Sequence, residues 1–476
     1  MVVNKKVSFI VLIVVLAIAS FACNLPINTE DEPSPPVQDP AVQAPAVQEQ
    51  VLPTEIPTTP VEPITETEPT PIETQTVTEE FVLLDPVGDE LEVVETYFVQ
   101  TDSLVDIAYL LRNNHQEMSL VNIHNKIRVT DVNGAEIDTV EILIDFIKPG
   151  ETTEISDRVW AADQQFDTVS IESTYQLSNQ TEFFEPLEII NLRTLYDEGY
   201  NDYIITGVLK NVSPDLYLDM GLQFISRDAT GVINDSSISN VPFVPGNDQV
   251  GFEIFTTLEE APQNFKVYVR KQTWSDVDIN SERMKELQLL DFKFTTYKDI
   301  VGGGFMVKNL TDKVLDGFTY SLNFYAADDT ICTNLTNFAF VLFPGQTIGY
   351  SPGEIYLPGD CVPAYYTLFV YPNQIVDHQL ASNPLTAENV VYVNEPDPYV
   401  YLTIVNSHNQ SIGDPTVSVL LYNENDEIIG GGYAYGETVP ANGRYEMSLW
   451  VNPTGNQVPA RIEAYPSVSL WSEIGE

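Results

Sequence analysis

The sequence predicts an all-β protein that contains four tandem β-sandwich domains. An apolar stretch that closes on an Asn occurs four times, at intervals of 98, 98 and 97 residues, ending at Asn113, Asn211, Asn309 and Asn406. A Pro follows each of these marker asparagines after 34 to 36 residues. Between the markers lie short alternating runs of Val, Ile, Tyr, Phe and Thr, separated by turn residues. So regular a spacing indicates tandem copies of one β unit.

Residues 1–22 have the features of an export signal: a basic start, an apolar run over residues 7–19 and small residues before Cys23. The segment Ser-Phe-Ala-Cys at 20–23 resembles the cleavage box of bacterial lipoproteins, although Ser20 and Phe21 depart from the usual Leu and small residue. The resemblance implies that Cys23 is lipidated and anchors the protein to the membrane from its extracytoplasmic side. Two alternatives stay open, a secreted chain and an uncleaved anchor, but the apolar run is shorter than the ~20 residues of a spanning helix.

Residues 23–82 are predicted to form a disordered stalk rich in Pro, Thr and Glu. Between residues 24 and 80 the chain has 12 of its 32 prolines and no Lys or Arg. Such a composition cannot bury a hydrophobic core. As a flexible coil the stalk would span roughly 40 Å, and as extended polyproline II up to about 170 Å. The alternative is a Pro-rich ligand for another domain.

Beyond the stalk, each repeat is predicted to be an immunoglobulin-like sandwich, because about seven short strands per repeat are typical of that fold. The predicted domains are 83–180, 181–281, 282–383 and 384–476. Each contains a strand pair around a turn rich in Asp, Asn and Gly, a composition that suits tight hairpins. These turns are Asp131 to Gly134, Arg227 to Gly231, Asp328 to Asp329, and Asn423 to Asp426. A short helix is predicted only near residues 281–287.

The strands before these turns resemble the signature of the FxLYD family of small extracytoplasmic sandwich domains. The similar segments are Val419–Tyr422, Leu322–Tyr325 and Leu222–Ile225, whereas residues 127–131 of the first repeat diverge and no copy has the full motif. The resemblance covers most of residues 83–476. It implies a sandwich fold and a location outside the cytoplasm, and it brings no catalytic residues.

The two cysteines after Cys23, Cys332 and Cys361, lie in one repeat and are predicted to form a disulfide. A bridge that closes this loop of 29 residues would stabilise the repeat by about 3 to 4 kcal/mol. The alternative is a pair of buried free thiols.

The charge of the chain limits its partners. It has 70 acidic and 21 basic residues and a net charge of −49, which repels nucleic acid and anionic head groups. Cations and basic proteins remain as partners, although acidity also keeps an exported protein soluble. The loop from Asp131 to Asp138 contains ligand types suited to Ca²⁺, but its Gly134 is not at the EF-hand position. A hairpin turn explains the same residues, and no cofactor is predicted.

The sequence predicts no enzymatic activity. Gly349 to Gly353 matches the G-x-S-x-G pattern of hydrolases, but Pro352 lacks the backbone N–H that the oxyanion hole needs after Ser351. The four histidines have no HExxH or paired-cysteine spacing, which argues against catalytic zinc. A hydrolase is therefore only the third hypothesis.

Tyrosines give the best indication of a ligand, since 16 of 24 lie between residues 281 and 476. Tyr433 and Tyr435 share one strand face by the period of two, and Tyr445 is expected on an adjoining strand. Exposed rings in such a row bind sugars or protein partners, whereas the alternative is that they pack in the core. The leading hypothesis is envelope interaction, adhesion or spacing, and the alternative is a glycan-binding accessory module beside an envelope enzyme.

Overall fold

A computed structural model describes residues 83–84, 88–101, 103–161, 164–181, 185–197, 202–256, 258, 260–271, 281–358, 361–394, 396–469 and 472–475. The chain divides into two units, Met1–Thr76 and Val77–Glu476, and the described residues belong to the second. The predicted signal, Cys23 and the predicted stalk up to residue 82 lie outside the described residues. The prediction of an all-β protein is confirmed for the described part, whose helices are two short 3-10 turns, Ser281–Glu286 and Thr454–Asn456. No helix in these ranges has the length and apolar character needed to cross a membrane.

The first group of strands forms two antiparallel sheets, ordered β2-β3-β6 and β1-β7-β4-β5. Their bounds are β1 Leu83–Leu84, β2 Leu91–Thr101, β3 Leu104–Asn113, β4 Ser119–Asp131, β5 Glu136–Ile147, β6 Thr152–Trp160 and β7 Phe166–Ser178. Alternate residues of β3 and β4, such as Ile107 and Ile127, point between the two sheets and form a hydrophobic core. We call this group the first sheet pair.

The second sheet pair repeats this order with sheets β8-β9-β12 and β11-β10-β13. Its strands are β8 Leu187–Asp197, β9 Asp202–Asn211, β10 Tyr217–Arg227, β11 Ile233–Val244, β12 Gln249–Phe255 and β13 Asn264–Lys271. Leu209 of β9 and Phe224 of β10 lie in the core between them.

The third sheet pair consists of β14-β15-β19, with β20 also on β15, and β18-β17-β21, beside a small sheet β16-β22. Its strands are β14 Leu287–Tyr297, β15 Ile300–Asn309, β16 Val314–Leu315, β17 Phe318–Tyr325, β18 Ile331–Ala339, β19 Thr347–Tyr350, β20 Ile355–Tyr356, β21 Tyr365–Pro372 and β22 Ile375–Val376. Phe305 and Tyr320 pack between the two main sheets.

The fourth sheet pair consists of β23-β24-β27 and β28-β26-β25-β29. Its strands are β23 Leu385–Val393, β24 Tyr399–Asn406, β25 Thr416–Tyr422, β26 Ile428–Tyr435, β27 Arg444–Trp450, β28 Asn452–Pro453 and β29 Arg461–Ser467. The four pairs thus contain seven, six, nine and seven strands, where the sequence predicts seven or so, and six of these strands recur in every pair. We call the sheet with the marker Asn the marker sheet and the sheet with the acidic turn the hairpin sheet.

Each marker Asn is buried and connects two loops of its sheet pair. The Nδ2 of Asn113 donates hydrogen bonds to the backbone oxygens of Met118, Ile147 and Lys148 at 2.9, 3.0 and 3.1 Å. Its Oδ1 accepts a hydrogen bond from the backbone N–H of His115 at 2.9 Å. Equivalent bonds recur at Asn211, Asn309 and Asn406. The regular spacing in the sequence therefore reflects a side chain that donates hydrogen bonds to backbone carbonyls of two loops.

The acidic turns connect the hairpin strands, as their residue types predict. The Oδ1 of Asp131 accepts hydrogen bonds from the backbone N–H groups of Asn133 and Ala135, both at 2.8 Å. These two bonds lower the pKa of Asp131. Asp228, Asp328 and Asn423 accept the equivalent bond from the residue two positions later. Each turn thus uses its first side chain to hold its own backbone.

Successive sheet pairs pack directly on one another, because each of the first three marker sheets contacts the hairpin sheet of the next pair. In the third contact, Met306 of β15 packs against Leu420, Tyr422 and Ile428. In the second, Val208 of β9 packs against Tyr325 and Ile331. The central strands are therefore buried on both faces, as β25 shows with all seven of its residues buried.

The contact between the first and second pairs is partly ionic. Arg227 lies 2.6 Å from a carboxylate oxygen of Glu154 and 2.8 Å from one of Glu95. Tyr268 donates a further hydrogen bond to Glu154. Burial disfavours the charged form of Glu154, but the hydrogen bonds from Tyr268 and Arg227 outweigh burial and lower its pKa. These groups connect β6 of the first pair to β10 and β13 of the second.

Candidate functional site

Tyr433 and Tyr435 lie two residues apart on β26 and are exposed by 39% and 60%. Their ring centroids are 6.3 Å apart, and the ring planes meet at 82°. Tyr433 also stacks on the buried ring of Tyr350 at 5.6 Å, with 29° between the planes. The edge of the fourth hairpin sheet thus has two exposed tyrosine rings at a right angle, supported by a buried ring of the third pair.

A small pocket lies where these rings meet the third pair, and we call it the aromatic pocket. Its volume is about 60 Å³. Five of its lining residues are aromatic, namely Phe338, Phe340, Tyr350, Tyr433 and Tyr435. Phe338 belongs to β18 and is 63% exposed. The pocket combines residues that are about a hundred positions apart in sequence.

Asp316 is the only charged residue among those that line the aromatic pocket. Its Oδ1 is buried and has no hydrogen-bond partner. Burial raises the pKa of Asp316, while the backbone N–H of Gln374 and the charge of Arg283 act in the opposite direction. A buried carboxylate oxygen without a donor is costly, so it requires an explanation.

The structure does not bring Tyr445 to the other two tyrosines. We expected Tyr445 on a strand adjoining β26, but its strand β27 pairs with β24 in the opposite sheet. There Tyr445 is partly buried and packs against the core of the fourth pair. The expectation was wrong because the chain crosses from one sheet to the other between β26 and β27.

A second exposed aromatic surface lies on the outer face of the fourth marker sheet, and we call it the terminal face. Tyr401 and Trp450 are exposed by 50% and 51%. Cross-strand pairing places Val391 beside Tyr401, and Val393 and Trp450 on either side of Tyr399. These five side chains form a continuous apolar and aromatic patch across three strands.

The equivalent positions of the earlier marker sheets are small and covered. Five residues before each marker Asn stand Ala108, Thr206 and Gly304, all buried, where the fourth pair has the exposed Tyr401. At Gly304 an added Cβ would lie 2.5 Å from the side chain of Leu420 in the next sheet. The first three faces are thus shaped for close contact with a following sheet, and the terminal face has bulky rings instead.

The outer face at the other end is charged. On the first hairpin sheet, His124 lies 3.3 Å from Glu141, and Arg128 lies 3.7 Å from Glu172. All four side chains are at least 40% exposed. The two ends of the series of sheets therefore differ in chemistry: ionic at the first sheet pair and aromatic at the fourth.

A disulfide joins Cys332 and Cys361, whose Cα atoms are 5.4 Å apart.

Ser351 is buried, and its hydroxyl donates to the backbone oxygen of Gly303 at 2.7 Å. Ser351 lies in the contact between the third and fourth sheet pairs. Within the described ranges, no three His, Cys, Asp or Glu side chains converge as metal ligands.

The sequence predicted Tyr433 and Tyr435 as ligand-binding residues, whereas Asp316, Phe338 and the terminal face were not predicted. A signal for the terminal face was present, because Tyr399 and Tyr401 alternate with apolar residues along one strand. No sequence signal links Asp316 to β26, since only the packing of two sheet pairs brings them together.

No family model and no curated protein matches the chain. Among solved structures, a mutant of Bacillus subtilis oxalate decarboxylase OxdC is 6% identical, with a TM-score of 0.08 over 39% of this chain and 78% of that chain. E. coli alpha-2-macroglobulin is 10% identical, with a TM-score of 0.11 over 78% of this chain. The chain spans only 26% of that protein's length. Likenesses at these TM-scores carry no argument about fold or function.

Proposed function

We propose that this protein is a non-enzymatic, lipid-anchored component of the cell surface that carries four tandem immunoglobulin-like sandwiches on a disordered stalk. Cys23 is the anchor, and the FxLYD-like repeats extend from residue 83 to residue 476. The sandwiches hold the terminal face away from the membrane, where it interacts with the envelope. Adhesion or spacing within the envelope is the role that follows.

The observation that supports this proposal most strongly is the contrast between the four marker sheets. Three of them are covered by the next hairpin sheet, and the fourth exposes Tyr401 and Trp450 to solvent. The outermost repeat of a stacked array normally has a polar outer face, which keeps it soluble. An aromatic patch at that position favours a binding surface, since Trp and Tyr contribute strongly to interfaces.

The experiment compares binding of the purified full chain and of variants to isolated cell envelopes. Trp450→Ser and Tyr401→Ser each remove one ring from the terminal face, and we expect each to reduce co-sedimentation at least about tenfold. Trp160→Ser is the matched control, because Trp160 is 46% exposed and ends the equivalent strand β6 of the first pair. Equal losses in all three variants, or none in the first two, would reject the terminal face as the binding surface.

The anchor has a separate test. Intact mass measurement of the protein extracted from membranes should show a chain that starts at Cys23 and has added acyl mass. Cys23→Ser should release the protein from the membrane fraction. An unmodified chain that starts at Met1 would refute the anchor without affecting the test of the terminal face.

A second candidate function, a glycan-binding accessory module, is favoured by the neighbouring exposed rings on the terminal face. Tyr399 and Tyr401 have centroids 6.4 Å apart and planes that differ by 42°. Aromatic rings on a sheet surface can stack on the apolar faces of sugars. A glycan array with the full chain tests this function. Glycan binding that Tyr401→Ser abolishes would support it, and an array without any hit would leave interaction with an envelope protein.

A further inference from the structure

We propose that the aromatic pocket of Phe338, Tyr433 and Tyr435 beside Asp316 binds a methylated ammonium group, the headgroup of choline and betaine. This site is separate from the terminal face, and the proposal stands independently of the function proposed above. Three features of the pocket favour such a ligand: its aromatic rings, its size and the acid in its lining.

The rings provide the attraction that a quaternary ammonium needs. Such a cation binds to the electron-rich faces of aromatic rings, and several rings at an angle to one another make a cage around it. Tyr433 and Tyr435 meet at 82° in an edge-to-face contact, and both line the pocket. Phe338 and Phe340 from the neighbouring sheet also line the pocket. Stacking of Tyr433 on Tyr350 holds one wall in place.

The size of the pocket selects a small ligand. Pockets for drug-sized molecules have volumes of roughly 300–1,000 Å³, whereas the aromatic pocket has about 60 Å³. A methylated ammonium group fits such a space with one side still in solvent. A sugar ring is larger than this space.

The charge of the lining selects a cation without N–H groups. Asp316 is the only charged residue in the lining, and its Oδ1 is buried without a hydrogen-bond partner. A primary ammonium would need acceptors for three N–H groups, and Oδ1 of Asp316 is buried rather than open to solvent. A methylated ammonium makes no hydrogen bonds, so the carboxylate can attract it through space in a medium of low dielectric constant. The net charge of −49 adds a general attraction for cations.

The test is a titration of the purified full chain with choline at constant ionic strength, observed by calorimetry and by NMR saturation transfer. The uncharged analogue 3,3-dimethylbutan-1-ol has the same shape and is the control ligand. We expect saturable binding of choline at millimolar concentrations and binding of the neutral analogue that is weaker by about tenfold or more. Equal binding of the two, or no saturable binding of choline, would overturn the proposal.

Variants then locate the site. Tyr435→Leu should weaken choline binding about tenfold, whereas Tyr435→Phe keeps the ring and should stay within about twofold of the wild type. Asp316→Asn keeps the shape and removes the charge, so it should also weaken binding. The matched control is Tyr356→Leu, because Tyr356 is 65% exposed and its hydroxyl donates to Glu354 at 3.0 Å, outside the pocket. If Tyr356→Leu weakens binding as much as Tyr435→Leu, the site is not the aromatic pocket.

Two further measurements distinguish a lipid headgroup from a free solute as the ligand. Vesicles of phosphatidylcholine that bind the wild type but not Tyr435→Leu would identify a lipid headgroup as the ligand. Binding of free choline without binding of these vesicles would identify a small solute. Glucose that competes with choline at equal concentration would overturn the assignment, because a cation–π site should prefer a cation to a neutral sugar. Circular dichroism of each variant checks that the fold is intact.

Discussion

Close packing between the second and third sheet pairs can be tested by adding one methyl group, in the variant Gly251→Ala. Gly251 lies on β12, where an added Cβ would be 2.3 Å from the Cδ1 of Ile331 and 3.1 Å from the Oδ1 of Asn323. Carbon atoms in contact prefer about 3.5–4.0 Å. The backbone N–H of Gly251 donates to Asn323 at 2.7 Å, so the strand cannot move away without losing that bond.

The expected cost follows from this overlap. Overpacking a filled contact costs typically about 1–3 kcal/mol, while replacing Gly in a strand gains roughly 0.5–1 kcal/mol in backbone entropy. We therefore expect Gly251→Ala to destabilise the contact by about 1–2 kcal/mol. Ile331→Ala removes the clashing atoms and alone costs about 2–5 kcal/mol. In the double variant the new methyl fills part of that space, so the cost should fall below the sum by about 1–2 kcal/mol.

The assay is native-state hydrogen exchange of the β12 and β18 amides at low denaturant, because a chain with several cores need not unfold in one step. Gly413→Ala is the control, since the nearest atoms to its added Cβ lie at 3.6 Å. Unchanged exchange in Gly251→Ala, or strict additivity in the double variant, would refute the direct packing of the two pairs.

Three further perturbations test other contacts. Asn309→Ala should lower the free energy of unfolding by about 2–4 kcal/mol in denaturant titrations, because it removes the three hydrogen bonds that Nδ2 donates to backbone oxygens and leaves the backbone N–H of Thr311 without its acceptor. Arg227→Met should cost about 3–5 kcal/mol. It should also flatten the pH dependence of stability. The pKa of Glu154 is lowered in the folded protein, so this group contributes stability that is complete above its pKa in the unfolded chain and is lost as the pH falls through its pKa in the folded protein. Measurement of stability from neutral to acid pH checks this. Reduction of the Cys332–Cys361 bridge should lower stability by about 3–4 kcal/mol, and a parallel titration with and without reductant measures it.

Periodicity in the sequence located the marker asparagines but could not reveal what they do. The partners of Asn309 are backbone oxygens of Lys313, Leu342 and Phe343. Every residue has such an oxygen, so no residue type marks the position that is clamped. The Pro that follows each marker by 34 to 36 residues indicated the loop that the marker contacts, but it did not indicate the hydrogen bonds between them.

Direct packing of successive pairs was also missed, because tandem repeats are compatible with separate domains. The sequence contains a signal in retrospect. The run from Val419 to Tyr422 has no polar residue, which suits a strand buried on both faces. Glycine runs at 302–304 and 430–432 mark strands that another backbone or side chain approaches closely. At Gly349, an added Cβ would be 2.4 Å from Leu420 and 2.5 Å from Tyr465.

The outer faces of the first and fourth sheet pairs differ from the faces that are buried between successive pairs. An internal hairpin sheet presents apolar residues such as Ile225 or Leu420 to the preceding marker sheet. The first hairpin sheet presents the contact of His124 with Glu141 and the ion pair of Arg128 with Glu172 instead. A second copy could continue the array only by placing these side chains against the rings of Tyr401 and Trp450, where the carboxylates of Glu141 and Glu172 would lose water and face electron-rich rings. Head-to-tail growth into filaments is therefore disfavoured, and the terminal face remains available for a different ligand.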